Sequence, residues 1–278
     1  MRFGGPVLEP YDSPEQWIER LQRRGYRAAY CPVGDDAGEE RIAAYADAAR
    51  CAEIRIAEVG AWSNLLHPDP QAREKALQLN VRRLRLADAI GAACCVNTPG
   101  SFGQGMCDPH PKNLSSEAFD LVVANARRII DEAKPTRAVY AIEPMPFMFP
   151  DTPQSYLDLI EAIDRPGQLG VHLDVVNWIS SPQKYYRNAS FIREVFAALG
   201  PRIVSVHVKD TLLRDGLMCH IDEVAPGEGT LDYQAFFKEM QGLDPDIPAL
   251  MEHLKTEEAY LQAAIYLREQ ARQAGMEL

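Results

Sequence analysis

The sequence predicts a single (β/α)8 TIM barrel spanning residues 1–278 as one domain. Three observations predict it. Eight short β-type runs alternate with helix-like segments from end to end, the pattern of repeated β-α units. Helix-to-strand connections are short whereas strand-to-helix connections lengthen in the second half, as where chemistry gathers at one mouth. Neither a linker nor a low-complexity stretch interrupts the alternation.

Taken in order, the strand runs lie around Phe3 and at YRAAYC (26–31), IRIAEVG (54–60), AACCVNT (92–98), AVYAIE (138–143), LGVHLD (169–174), IVSVHV (203–208) and IPALME (247–252). The first helix is announced by Ser13-Pro14-Glu15-Gln16, a cap serine, a proline at the first helical position and a reciprocal glutamine. Gly25-Tyr26-Arg27 is the short hinge into the second strand. After the fourth strand, PGSFGQG has its glycines in the wrong order for a dinucleotide fingerprint. Phe119, Val122, Val123, Ala126 and Ile130 recur at helical spacing, and Thr152-Pro153 repeats the cap-and-proline signal. Gly200-Pro201 is the brief link into the seventh strand. The long strand-to-helix loops are 99–114, 144–151, 175–188 and 210–231. A doubly wound open sheet is the alternative fold.

Composition narrows the function classes. The chain is 46% hydrophobic and 25% charged, the balance of a soluble globular protein. Its formal charge of −11 repels phosphate backbones, so no nucleic-acid partner is expected. No apolar run is long enough for a membrane span, and MRFGGPVLEP has no signal-like core, so a cytoplasmic protein without a membrane partner is expected. The six cysteines form no C-x-x-C pair and read as buried free thiols.

SVHVKD (205–210) carries the first functional signal. A strand points successive side chains to opposite faces. Val204, Val206 and Val208 then face helices, while Ser205, His207 and Lys209 face the barrel interior. Three other strands end in a carboxylate: Glu143, Asp174 and Glu252. These residues stand 31, 33 and 45 positions apart in turn, so four consecutive strands deliver Glu, Asp, His and Glu to one mouth. Converging carboxylates repel one another without a cation. Three oxygen donors and one imidazole suit one divalent metal, Mn2+ first, with Mg2+, Co2+ or Zn2+ as the others.

At IEPMP, HLDVVN, VHVKD, PGEGTLDY and MEHL the chain resembles the sugar phosphate isomerase/epimerase-like family of the xylose isomerase-like barrel superfamily. The resemblance covers nearly the whole chain. It implies that Glu143, Asp174, His207 and Glu252 hold the metal, and that Glu143 and Glu252 are also the catalytic acid/base pair. Two positions depart from the ketose 3-epimerases of the superfamily: Asn177 replaces a histidine and Phe149 a substrate-binding glutamate. An arginine does follow the metal histidine, as Arg214.

The implied activity is proton abstraction next to the carbonyl of a keto-sugar or related polyol, through a metal-bound enediolate, as in an isomerase or epimerase. The alternative is a dehydratase or lyase that expels a β-oxygen from a keto-inositol or 3-keto-glycoside, alone or as the barrel subunit of a complex. The partner is then a small carbohydrate or cyclitol, and the chain a homo-oligomer, dimer or tetramer. Substrate-binding candidates are Lys209, Arg214, Asn177, His67, Asn97 and Trp62, with Trp178 as a further wall. His253 is expected to point away from the site. PGEGTLDY is expected to shape a turn with Asp232 near the next helix start.

Overall fold

The computed structural model describes residues 1–278. Its elements run β1 (Arg2–Gly4), α1 (Pro14–Arg23), β2 (Ala28–Tyr30), α2 (Glu39–Cys51), β3 (Arg55–Gly60), α3 (Pro70–Ile90), β4 (Cys94–Asn97), α4 (Ser116–Ala133), β5 (Val139–Ile142) and α5 (Pro153–Ile163). They continue with β6 (Leu169–Leu173), α6 (Pro182–Tyr186), α7 (Asn188–Leu199), β7 (Ile203–Val208), β8 (Asp210–Leu213), β9 (Ile221–Val224), α8 (Tyr233–Met240), β10 (Pro248–Met251) and α9 (Glu257–Gln273). Strands β1 to β7 and β10 close one parallel barrel, so all eight strand runs are strands of the same ring. The open-sheet alternative is excluded by that closure.

Local chemistry sets the helix starts. Ser13 Oγ accepts from Gln16 N ahead of Pro14, although the Gln16 side chain turns to Asp12 N instead of closing a reciprocal box. Thr152 and Ser155 do form such a box at α5, where Pro153 takes the first helical position. Asp232 caps α8 through Ala235 N at 2.8 Å. Gly25 lies at φ 66°, a left-handed turn that glycine adopts at no steric cost, and it reverses the chain into β2.

The register places the site. His207 pairs with Leu250, and Met251 with Val208, so Glu252 continues alongside Lys209 one step further up. Leu173 pairs with Val206, which sets Asp174 beside His207. Val206 and Val208 belong to the large apolar cluster, whereas Val204, expected beside them, packs with Val139 against Cys94, Val96 and Ala141 at a register shift between β6 and β7; Ser205 and His207 are buried on the inner face.

Two loops depart from expectation: residues 175–188 contain the short helix α6, and the second change is larger. Residues 210–231 are not a plain loop: β8 and β9 pair antiparallel as a hairpin on the mouth. The Asp210 carboxylate anchors its base, accepting from Thr211, Gly227, Gly229 and Leu231 N at 2.8–3.3 Å. PGEG is therefore a turn built around an internal anion, which leaves those N–H groups unavailable to a phosphate. Asp210→Ala strands four backbone donors. Urea unfolding is expected to show a loss of roughly 3 kcal/mol or more, with Asp210→Asn intermediate. No helix is long and apolar enough to cross a membrane.

Candidate active site

Glu143, Asp174, His207 and Glu252 converge at the C-terminal mouth, with one donor atom from each within 4.8 Å of the others. His207 Nδ1 lies 3.2 Å from Glu143 Oε1 and 3.0 Å from Glu252 Oε1. Lys209 Nζ sits in the same group, 2.6 Å from Glu252 Oε1, 2.8 Å from Asp174 Oδ2 and 3.1 Å from Glu223 Oε2. All of these side chains except Glu223 are nearly or fully enclosed.

Electrostatics follows from that enclosure. Burial pushes the Glu143 carboxyl up to about 7, against the pull of His207. For Glu252 burial acts in the same direction, but the His207 and Lys209 charges overcome it and hold its carboxyl well below the usual range. Lys209 is also penalised by burial, yet Asp174, Glu252, Glu143 and Glu223 raise it well above an ordinary lysine. Two equivalent-looking glutamates thus differ: burial dominates at the more enclosed Glu143, whereas at Glu252 the charges of His207, Lys209 and His253 outweigh it.

The donor set fits a divalent cation. It is three hard carboxylates and one imidazole, on four separate strands, facing one point. Asp174 Oδ2 and Glu252 Oε1 are buried within ion-pair reach of Lys209 but without an aligned hydrogen bond. Oxygen atoms left in that state retain lone pairs for a ligand.

Above the cluster is a cavity of about 530 Å3. Its floor includes Glu143 and Glu252, and its walls are largely apolar, with Pro6, Leu8, Trp62, Met106, Met145 and Tyr260. A larger groove of about 680 Å3 lies at the opposite end, around the strand starts Arg55, Val139, Ile203 and Pro248. No group of potential metal ligands stands there.

The structure brings Lys209, Asn177 and Trp62 to this mouth and leaves the other substrate-binding candidates elsewhere. Asn177 Nδ2 lies 3.3 Å from Glu143 Oε1 and donates to Pro144 O, so its amide holds the carboxylate. Trp62 is a half-exposed wall of the cavity. Asn97 instead spends both amide atoms on the Ser63 backbone and is fully buried. His67 Nδ1 accepts from Asp69 N, and the residue borders a different cavity with Lys75 and Arg82. Arg214 pairs with Asp222 across the hairpin at 2.7 Å, out in solvent. Trp178 is wholly buried, its indole N–H on Pro150 O.

His253 is a correction. Strand alternation would turn it away from Glu252, but the strand has ended at Met251 and His253 adopts φ 58°. Its ring then swings to the mouth, 2.9 Å from Glu223 Oε1 and 3.4 Å from Glu252 Oε2. The neighbouring Asp210 carboxylate faces the hairpin turn and not Lys209. Two cysteines, Cys51 and Cys219, are exposed, although all six are free.

Three participants were not singled out in the sequence: Glu223 on β9, and the buried pair Glu58 and His172 beneath His207. A charged residue in the middle of the apolar run IRIAEVG was the one available signal for Glu58.

Fold and site together define a class: a closed parallel (β/α)8 barrel with a candidate divalent-metal centre at its C-terminal mouth. A family model described as xylose isomerase-like TIM barrel matches residues 14–270, and the chain belongs to that family. Among solved structures it is similar to a D-psicose 3-epimerase from Clostridium cellulolyticum (14% identity, TM-score 0.69, all of both chains covered). It is also similar to 3-keto-D-glucoside 4-epimerase from E. coli (14% identity, TM-score 0.70, covering 97% of this chain and 99% of that one). Endonuclease IV from Thermus thermophilus has the same fold at 16% identity, with a TM-score of 0.73 over 98% of this chain and 100% of its own. No curated protein matches the sequence. At these identities the likeness is one of fold, shared by epimerases and a nuclease alike.

Proposed function

We infer that this barrel is a divalent-metal-dependent sugar isomerase or epimerase that removes a proton next to the carbonyl of an uncharged keto-sugar or related polyol. The observation that carries it is the placement of Glu143 and Glu252. They reach one cavity floor from β5 and β10, with β6 and β7 between them, and both touch His207 Nδ1. Glu143, Asp174, His207 and Glu252 would hold the ion. When bound, a divalent ion there supplies Lewis-acid charge for a carbonyl oxygen and its neighbouring hydroxyl.

The chain's own residues account for the rest. In this reading one glutamate takes the C–H proton and the other returns a proton. Asn177 fixes the Glu143 carboxylate, and His207 and Lys209 together keep Glu252 ionised. Apolar walls of the cavity exclude water from the reacting carbon. Charge argues for a neutral substrate. The side-chain cations at the mouth, Lys209 and His253, are already paired with carboxylates, so neither is free to pair with a phosphate.

The breadth of that apolar wall favours a second reading on the same first step. A leaving group could lie against Leu8, Trp62 and Met106 while a β-oxygen is expelled from a keto-inositol or 3-keto-glycoside.

Incubation in D2O with keto-sugars, keto-inositols and 3-keto-glycosides separates these outcomes. Metal-loaded protein is expected to place deuterium at one C–H position of at least one neutral compound, and chelated protein at none. Retained skeleton marks isomerisation or epimerisation, and a lost group marks elimination. No exchange into any compound by fully loaded protein rejects the proton-abstraction reading.

A further inference from the structure

One layer below the mouth, Glu58 from β3, His172 from β6 and His207 from β7 form a second group inside the barrel. All three are shut off from solvent. Glu58 Oε2 lies 3.3 Å from His207 Nε2 and 3.4 Å from His172 Nδ1. The two imidazoles meet edge to face with ring centroids 4.1 Å apart. Neither Glu58 oxygen, neither His172 nitrogen, nor His207 Nε2 has an aligned hydrogen bond. A buried polar atom without a partner is costly, and a cluster of them in a native core calls for an explanation. An apolar core would avoid that cost, so packing does not explain the group.

His207 connects the two layers. Nδ1 faces Glu143 and Glu252, and Nε2 faces Glu58. A neutral imidazole that offers a lone pair through Nδ1 carries its proton on Nε2, and a carboxylate behind the ring is the usual acceptor for that proton. We propose that Glu58 is a positioning residue for the metal centre: with a cation held at the mouth, the unaligned 3.3 Å approach closes to a hydrogen bond in which Glu58 receives the Nε2–H of His207, fixing the tautomer and ring plane that present Nδ1 to the mouth. His172 is the wall that keeps the ring from turning. The proposal rests on the metal reading of the mouth. A second ion in the deeper group is the competing reading, and it would require His207 to bind through both nitrogens at once.

Co2+ titration, followed by visible absorption, tests this on wild type, Glu58→Gln and Glu58→Met, together with thermal unfolding and 15N NMR of the histidine rings. Wild type is expected to take one equivalent. Glu58→Met should weaken Co2+ by the roughly 10–100-fold typical of losing an outer carboxylate, and Glu58→Gln by less, because an amide oxygen still accepts. The NMR signature of an Nε2–H tautomer at His207 should weaken in the same order. A merely structural Glu58 predicts the reverse, a lower melting temperature with unchanged affinity in the folded protein. Affinities within about twofold of wild type in both variants overturn the proposal. So does a second equivalent of Co2+ that Glu58→Gln abolishes. If Glu58→Met does not fold, the near-isosteric Glu58→Gln decides by the same affinity and tautomer readouts. A wild type that binds no Co2+ rejects the metal reading and this inference with it, whereas a wild type that binds while both variants match it rejects this inference alone.

Discussion

Glu143→Gln and Glu252→Gln, each saturated with metal, are expected to turn over at least roughly 10²–10⁴-fold more slowly than wild type, the usual cost of losing a general base. Each change keeps side-chain size and one oxygen donor, so metal affinity should fall only moderately. The two variants should differ in solvent exchange of the substrate C–H proton. Exchange fails in the variant that lacks the abstracting base, and survives in the other if that glutamate serves only the return step. His207 and Lys209, at 3.0 and 2.6 Å, together hold Glu252 as an anion, whereas Glu143 is held by Asn177 and His207 without a lysine at salt-bridge distance. If both fully metallated variants exchange and turn over like wild type, the two-glutamate mechanism is rejected.

His207→Ala is expected to lose most of the bound metal, with affinity falling by more than the roughly 10–100-fold attached to an outer-shell partner. His207 is the one nitrogen donor of the set and the residue that both glutamates touch. Metal analysis of protein purified without chelator should find close to one equivalent in wild type and far less in the variant. Added Mn2+ should restore wild type after chelation. If neither protein holds metal after Mn2+ is supplied, the cluster is not a metal site, and the proximity of its carboxylates is explained by Lys209 and His207 alone.

The parts of this site that were readable in the chain are those governed by strand period and strand ends. Glu143, Asp174 and Glu252 each close an apolar run, and His207 interrupts one at the inward parity, so their convergence followed from barrel register. Lys209 was placed inward by the same parity. Glu58 and His172 obey it too, yet each looks like an ordinary polar position of a short strand until the neighbouring strands are aligned. Only then do a carboxylate and two imidazoles from β3, β6 and β7 meet in a dry core.

Loop residues were read least well, for a physical reason. His67 and Arg214 have side chains suited to sugar hydroxyls, but the same donors and acceptors also satisfy backbone groups and surface charges. Which use wins depends on where a loop folds, and no period governs that. The β8–β9 hairpin illustrates it. Its pairing depends on Asp210 gathering N–H groups up to twenty-one residues away, and it alone delivers Glu223 to Lys209 and His253.

By itself the sequence determined the eight-strand alternation, the end of the barrel that carries the chemistry, and the four strand-end residues gathered there. Tertiary structure alone decided the inward turn of His253, the hairpin over the mouth, the unequal surroundings of Glu143 and Glu252, and the deeper Glu58–His172 layer. The division has one cause. Strand parity and strand ends are local properties, repeated along the chain and legible from it. A left-handed backbone at a non-glycine residue, or an ion pair between distant elements, exists only once the closed barrel has brought those groups within a few ångströms of one another.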